Sequence, residues 1–179
     1  MPTNDDTLLD SLSGPLPEAF RQAFRQHPAG VAVVSADPGD GPVALTVSSL
    51  ISVSAAPPTV AFSLSAASSS ADGIRRAPSM IIHMLRLQDL ELARLCATSG
   101  ADRFGPQVNW TRLPTGEPLY TDVGIWFRAR PLHELSVAGA TLIVAELLDG
   151  QVNEVPEESS IVYLNRRWHS LRPTPEGVS

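Results

Sequence analysis

Between Gly41 and Ala71 the chain contains no Asp, Glu, Lys or Arg. An uncharged stretch of this length first suggests a helix inside a membrane. Its residues exclude one. Thr46, Ser48, Ser49, Ser52, Ser54, Thr59, Ser63, Ser65 and Ser68 to Ser70 are hydroxylic, and Pro57-Pro58 sits in the middle, where it would break a spanning helix. The run reads instead as strands. Pro42 to Ser49 is β-rich, Ile51 to Ser54 alternates apolar and polar, and Thr59 to Leu64 forms a third strand after the proline pair.

Shorter patterns surround it. Residues 1–14 read as a flexible leader, and the acidic start MPTNDDTLLD lacks the basic region of a signal peptide. Glu18 to Gln26 is a helix with Phe20, Ala23 and Phe24 on one apolar face, ended by His27-Pro28-Ala29-Gly30. Val31 to Val34 is a strand, and the turn Asp37-Pro38-Gly39-Asp40-Gly41 joins it to the next as a hairpin. Ser68 to Arg76 is one or two helical turns, capped by Ser69 or Ser70. Met80 to Leu85 is a buried strand, and Gln88 to Ala97 a helix with Leu92, Leu95 and Cys96 toward the core. Residues 98–118 are loop-rich. Strands follow at Val123 to Leu132, Thr141 to Leu148, Ile161 to Leu164 and around Trp168, before a flexible tail at 173–179. Many short strands with a few peripheral helices predict a mainly β domain over 15–172, a barrel with α additions.

Composition removes several functions. All 13 basic residues are Arg, and the net charge is -6. A net acidic chain without a basic tract is a poor match for nucleic acid or an anionic membrane. Without Lys there is no Schiff base and no P-loop grip. One cysteine, Cys96, excludes an internal disulfide and fits a cytoplasmic setting. His27, His83, His133 and His169 have no metal-ligand spacing, so no metal is expected. The GxSxG, HExxH and GxGxxG patterns are absent.

What remains is the hydroxyl-rich run. Hydroxyls and backbone amides beside a helix start can cradle a phosphate, which suits Ser68-Ser69-Ser70. Equally, Ser and Thr populate the solvent face of an antiparallel sheet, and pattern alone favours that account.

The segments Phe20–Ser35 (FRQAFRQHPAGVAVVS) and Gly41–Pro58 (GPVALTVSSLISVSAAPP) together resemble the flavin reductase-like, FMN-binding split-barrel family. So do Val60–Ile74 (VAFSLSAASSSADGI), Met80–Leu85 (MIIHML), Arg103-Phe104 with Trp110, Gly116–Leu119 (GEPL) and Ile161–Leu171 (IVYLNRRWHSL). The likeness spans about 18–171. Thr46 to Pro58 is its most specific part.

The resemblance implies a homodimeric split β-barrel that binds FMN, with FAD the alternative. Thr46, Val47, Ser48 and Ser49 would line the ring system and ribityl chain. Ser63 and Ser65 would sit near the ribityl or phosphate, Ser69 and Ser70 would hold the phosphate, and Arg103 and Phe104 would approach from a neighbouring loop. NADH or NADPH would supply the hydride, and reduced flavin would go to a partner monooxygenase. No catalytic side chain is required. The alternatives are a flavoprotein with another electron donor, and a non-enzymatic binding protein on the same barrel. One departure favours the former. Where nicotinamide-using members carry Asp-His, this chain has Ala140-Thr141. A second is His83 in place of Asn, which reads as a buried strand histidine with a local hydrogen bond.

Overall fold

The computed structural model describes residues 16–154, 159–172 and 174. The leader expected at 1–14, and all of the tail 173–179 except Thr174, lie outside them. In chain order the elements are α1 (Leu16–Arg25), β1 (Ala29–Gly30), β2 (Ala32–Ala36), β3 (Val43–Val47), β4 (Ile51–Ala55) and β5 (Pro58–Ser65). Next come α2 (Ala71–Arg76), β6 (Met80–Met84), a 3-10 turn (Leu87–Asp89) and α3 (Leu90–Ala97). The last are β7 (Trp110–Arg112), β8 (Pro118–Tyr120), β9 (Ile125–Val137), β10 (Ala140–Val152), β11 (Ile161–Leu164) and β12 (Arg167–Ser170).

Seven strands form one sheet in the order β3-β2-β6-β9-β10-β5-β4, with antiparallel pairing throughout. β3 and β4 lie at opposite ends of that order, yet only Ser48 to Leu50 connects them. So short a link requires the sheet to curl until its ends meet, which makes a barrel. The meeting line is not a ladder. The Ser49 hydroxyl bridges it, accepting from the Ser63 amide at 2.9 Å and donating to the Ser63 carbonyl at 3.3 Å. The barrel is split there, and the split runs between β3 and β5.

Alternation along the strands fills both sides. Leu45 and Val47 of β3 point into the barrel with Phe62 and Leu64 of β5, Val34, Ile82 and Ile143, while Ile74 of α2 packs into the same cluster. The opposite face of β2 and β3 builds a second cluster outside the barrel from Val33, Ala44, Ala93, Cys96, Tyr120 and Val123. A three-stranded sheet, β1-β11-β12, and the β7-β8 pair flank the barrel.

Local details refine the expectations at four points. In α3 Cys96 is buried and Leu92 packs half-buried against the same cluster, as expected, while Ala93 is buried too and Leu95 is only half-buried. Small residues let the helix come close enough to β3 for the Thr46 hydroxyl to donate to the Ala93 carbonyl at 2.8 Å. Residues 98–118 contain strand, because β7 and the start of β8 fall within them. Neither Ser69 nor Ser70 caps α2: Ser70 has near-helical angles, and its hydroxyl takes a bond from Arg103 instead. In α1 no residue is buried, and Phe20 and Phe24 are 56% and 61% exposed.

The β9–β10 hairpin extends further than expected, to a two-residue turn. Ala138 and Gly139 there have φ of 40° and 89°, the left-handed angles that a tight hairpin turn of this hand requires. The turn is tied to the barrel by the Ala66 amide, which donates to the Gly139 carbonyl at 3.0 Å. No helix among the described residues is long and apolar enough to cross a membrane.

Candidate flavin site at the barrel split

A cleft of about 460 Å³ opens along the split. Thr46, Val47, Ser48 and Ser49 form one wall, and Ser63 and Ser65 the facing one. Ser68 and Ser69 lie at one end, with Ser99 and Arg103 across from them. Among the described residues that line it, none is a carboxylate.

Each wall follows from local structure. In β5, Phe62 and Leu64 are buried and Ser63 and Ser65 exposed, so the period of two aims both hydroxyls at the cleft. β3 is an edge strand, so its backbone groups on the side away from β2 have no ladder partner. Several hydroxyls are already committed. Thr46 bonds α3, Ser49 bridges the split, and Ser65 accepts from the Ala67 amide at 3.3 Å. Among the described residues, the hydroxyls of Ser48, Ser68 and Ser69 hold no hydrogen bond. Just before α2, the amides of Ser68 and Ala71 bond the carbonyls of Ser65 and Ser68. Those of Ser69 and Ser70 find no acceptor among the described residues.

Among the described residues, Arg103 is the only charged group lining the cleft. Its Nη1 donates to the Ser70 hydroxyl at 3.1 Å and its Nη2 to the Thr98 carbonyl at 2.8 Å. Its Nε is buried without a partner. The backbone beneath it is fixed by Tyr120, whose hydroxyl donates to the Arg103 carbonyl at 3.0 Å. Tyr120 is fixed in turn by His83. The Tyr120 amide donates to His83 Nε2 at 3.1 Å, while Nδ1 lies 3.2 Å from the Val33 carbonyl. His83 is therefore the buried, locally bonded strand histidine that the sequence suggests, with its proton on Nδ1. Burial lowers its pKa to about 4, only partly opposed by the bond to Val33, so it stays neutral. Cys96 also borders the cleft, but burial pushes its thiol up to about 11, so it is no nucleophile.

Eight of the ten residues expected at the site line this cleft: Thr46, Val47, Ser48, Ser49, Ser63, Ser65, Ser69 and Arg103. Ser70 and Phe104 do not. Ser70 is buried behind the wall, where it holds Arg103. Phe104 stacks on Tyr120 at 5.4 Å and meets Trp110 edge-on at 5.0 Å, inside the outer cluster. Sequence reasoning did not find Ser99, Ala97 or Cys96, which reach the cleft only because α3 packs on β3. Ser68 carried its own signal in the serine run.

A sequence profile described as a flavin reductase like domain matches residues 24–172. The chain belongs to that family. An NADH:FMN oxidoreductase from Rhodococcus erythropolis is 36% identical over 158 residues, covering 88% of this chain and 82% of the relative. A stachydrine N-demethylase reductase subunit from Rhizobium meliloti is 32% identical, over 69% of this chain and 53% of its own length. Among solved structures, a flavin reductase domain protein from Arthrobacter superposes with a TM-score of 0.84 at 29% identity, covering 90% of this chain and 99% of the other. The split barrel is thus the shared fold.

A flavin mononucleotide fits this donor set. The free hydroxyls, the unpartnered amides near Ser69, the edge-strand backbone and one arginine with an orphaned Nε suit a phosphate and a polar ring edge. The Ala140-Thr141 departure acquires a geometry as well. Ala140 pairs with Ser65 and Thr141 with Leu64. Ala140 therefore shares the face of Ser65, and Thr141 that of buried Leu64. Of the two positions, 140 is the one from which an imidazole would look toward the cleft side.

Proposed function

We propose that this protein is a flavin reductase. It binds FMN, with FAD the alternative, in the cleft at the split, and passes it a hydride from NADH or NADPH. The observation that carries the reading is the cleft itself: an uncharged wall of hydroxyls and free strand-edge backbone, closed at one end by a single tethered arginine, in a chain of this family. Flavin, when bound, supplies the hydride acceptor and carries the electronic work. The protein's part is to bind and orient. The backbone of Thr46 to Ser49 offers donors to the polar edge of a ring, where negative charge develops. Ser48, Ser63 and Ser65 face a ribityl chain. Ser69 and Arg103 attract the phosphate, with Ser70 and Phe104 behind them holding Arg103 and its loop in place.

The relative described as a reductase subunit supports a second protein, a monooxygenase, as consumer of the reduced flavin. Exposed Ile51 and Val53 on the edge strand β4 support a homodimer through that edge. A cytoplasmic location belongs to the same reading. The flavoprotein with another electron donor stays as a second reading on one observation, the missing Asp-His at Ala140-Thr141. Fluorescence titration of the purified chain with FMN tests the first step. Saturable quenching at one flavin per chain is expected, and no quenching would refute the reading.

A further inference from the structure

Arg103 and Phe104 lie between α3 and β7, outside the helices and strands. A loop has no ladder to fix its peptide planes, so an arginine on it points where other contacts hold its backbone. Here two consecutive carbonyls are held. The Tyr120 hydroxyl donates to the Arg103 carbonyl at 3.0 Å, and the Trp110 Nε1–H donates to the Phe104 carbonyl at 2.9 Å. The two donors are themselves partners, since Trp110 of β7 faces Tyr120 of β8 in the register of that antiparallel pair. Residues opposed in this way carry their side chains on one face. Phe104 packs against both, stacked on Tyr120 and edge-on to Trp110. One cross-strand aromatic pair therefore grips both residues of the Arg103-Phe104 dipeptide.

The pair is fastened to the barrel in turn. The Ser35 hydroxyl of β2 donates to the Pro118 carbonyl of β8 at 2.6 Å, and His83 of β6 accepts from the Tyr120 amide at 3.1 Å. Ser35, His83 and Tyr120 are all buried. These bonds run from two barrel strands, through the small β7–β8 sheet, to the backbone beneath the cleft's arginine. Tyr120 and Trp110 stand outside the cleft lining themselves. What they control is the direction of a guanidinium whose Nη1 and Nη2 are tethered to Ser70 and Thr98 and whose buried Nε has no partner. A long side chain fixed beforehand loses less freedom when it meets an anion, so holding it raises affinity for that anion alone.

We propose that Tyr120 and Trp110 are positioning residues for the flavin phosphate, acting through the Arg103 and Phe104 carbonyls to hold the guanidinium where it separates a phosphorylated flavin from one without phosphate. The inference rests on the flavin-reductase reading, with Arg103 at the phosphate. It adds that this selectivity is set from outside the cleft, by a two-strand clamp.

The test compares FMN with riboflavin, which has the same ring and ribityl chain but no phosphate. Fluorescence titration of the full-length protein gives the affinity for each in the wild type, Tyr120→Phe, Trp110→Phe, Arg103→Gln and Tyr120→Phe/Arg103→Gln. Tyr120→Phe removes one hydroxyl; Trp110→Phe removes the Nε1–H and keeps a ring. The wild type should prefer FMN. Each clamp variant should weaken FMN by about three- to tenfold and leave riboflavin within about twofold. Arg103→Gln should abolish the preference, and adding Tyr120→Phe to it should change FMN affinity by no more than about twofold. A merely structural role would weaken both flavins together, and that result overturns the proposal. So does a wild type without a preference. The Tyr120 hydroxyl also lies 3.6 Å from Cys96 Sγ. Trp110→Phe leaves that contact alone and decides the matter if Tyr120→Phe does not fold. A wild type that binds neither flavin refutes the reductase reading and the clamp with it. A wild type that prefers FMN, with both clamp variants keeping that preference, refutes the clamp and leaves the reading standing.

Discussion

His83 offers the sharpest link between the core and the cleft. It is fully buried, and both ring nitrogens are used: Nδ1–H toward the Val33 carbonyl, Nε2 as acceptor for the Tyr120 amide. A proton on Nε2 would turn that acceptor into a donor facing the Tyr120 N–H, so protonation and the native arrangement oppose each other. Burial lowers the pKa from 6.5 to about 4. The sign follows from linkage. The unfolded chain takes up the proton as pH falls through 6.5, while the native chain resists until about 4. The stability is therefore complete above pH 6.5, declines as pH falls, and is lost below pH 4. The gap is worth about 3 kcal/mol in all, of which about 2 kcal/mol goes between pH 8 and pH 5. Urea denaturation of wild type and His83→Gln across that range, at constant ionic strength, measures it. Glutamine keeps one donor and one acceptor but does not titrate. Other groups contribute to the raw profile; burial raises Asp89, for one, which acts in the opposite sense. Subtracting the variant's profile leaves His83. The wild type should lose about 2 kcal/mol more than the variant toward pH 5. Parallel profiles would refute the assignment of a neutral, doubly bonded His83.

Three further outcomes are expected. Arg103→Gln should weaken FMN binding by about tenfold in a fluorescence titration with little change in Tm, and unchanged affinity would place the phosphate elsewhere. Ala140→His should raise NADH-dependent turnover, whereas Thr141→His, on the face of Leu64, should leave kcat unchanged and lower Tm; the reverse order would put the nicotinamide on the other face. Glu117→Gln should cost about 2–3 kcal/mol in urea denaturation, and an unchanged midpoint would contradict it. Although burial opposes its ionisation, bonds from Ser79, Thr115 and Arg128 hold the Glu117 carboxyl below its usual range. The Arg128 bond is 2.7 Å long, with Glu117 2% exposed.

The strands around the cleft were legible because their alternation is local. Phe62 and Leu64 against Ser63 and Ser65 declare two faces, while the family resemblance, and not the pattern, pointed to a common site. Local pattern could not show that the Thr46 and Ser49 hydroxyls are spent on structure, since Ala93 and Ser63 lie far along the chain or across a split. Nor could it separate Phe104 from the cleft: its partner Tyr120 is brought in by β8, a three-residue strand too short to show a period. The apolar face of α1 was legible as a face, although periodicity reports amphipathicity and not what covers it.

The central claim is hydride transfer into a flavin held at the split. It is tested most directly by mixing the FMN-loaded protein with NADH under anaerobic conditions and following the long-wavelength flavin absorbance. Rapid bleaching of that band, faster than with free FMN and NADH alone, is the predicted result. Flavin that binds and stays oxidised with both NADH and NADPH would contradict the account and leave the same cleft to a flavoprotein with a different electron donor.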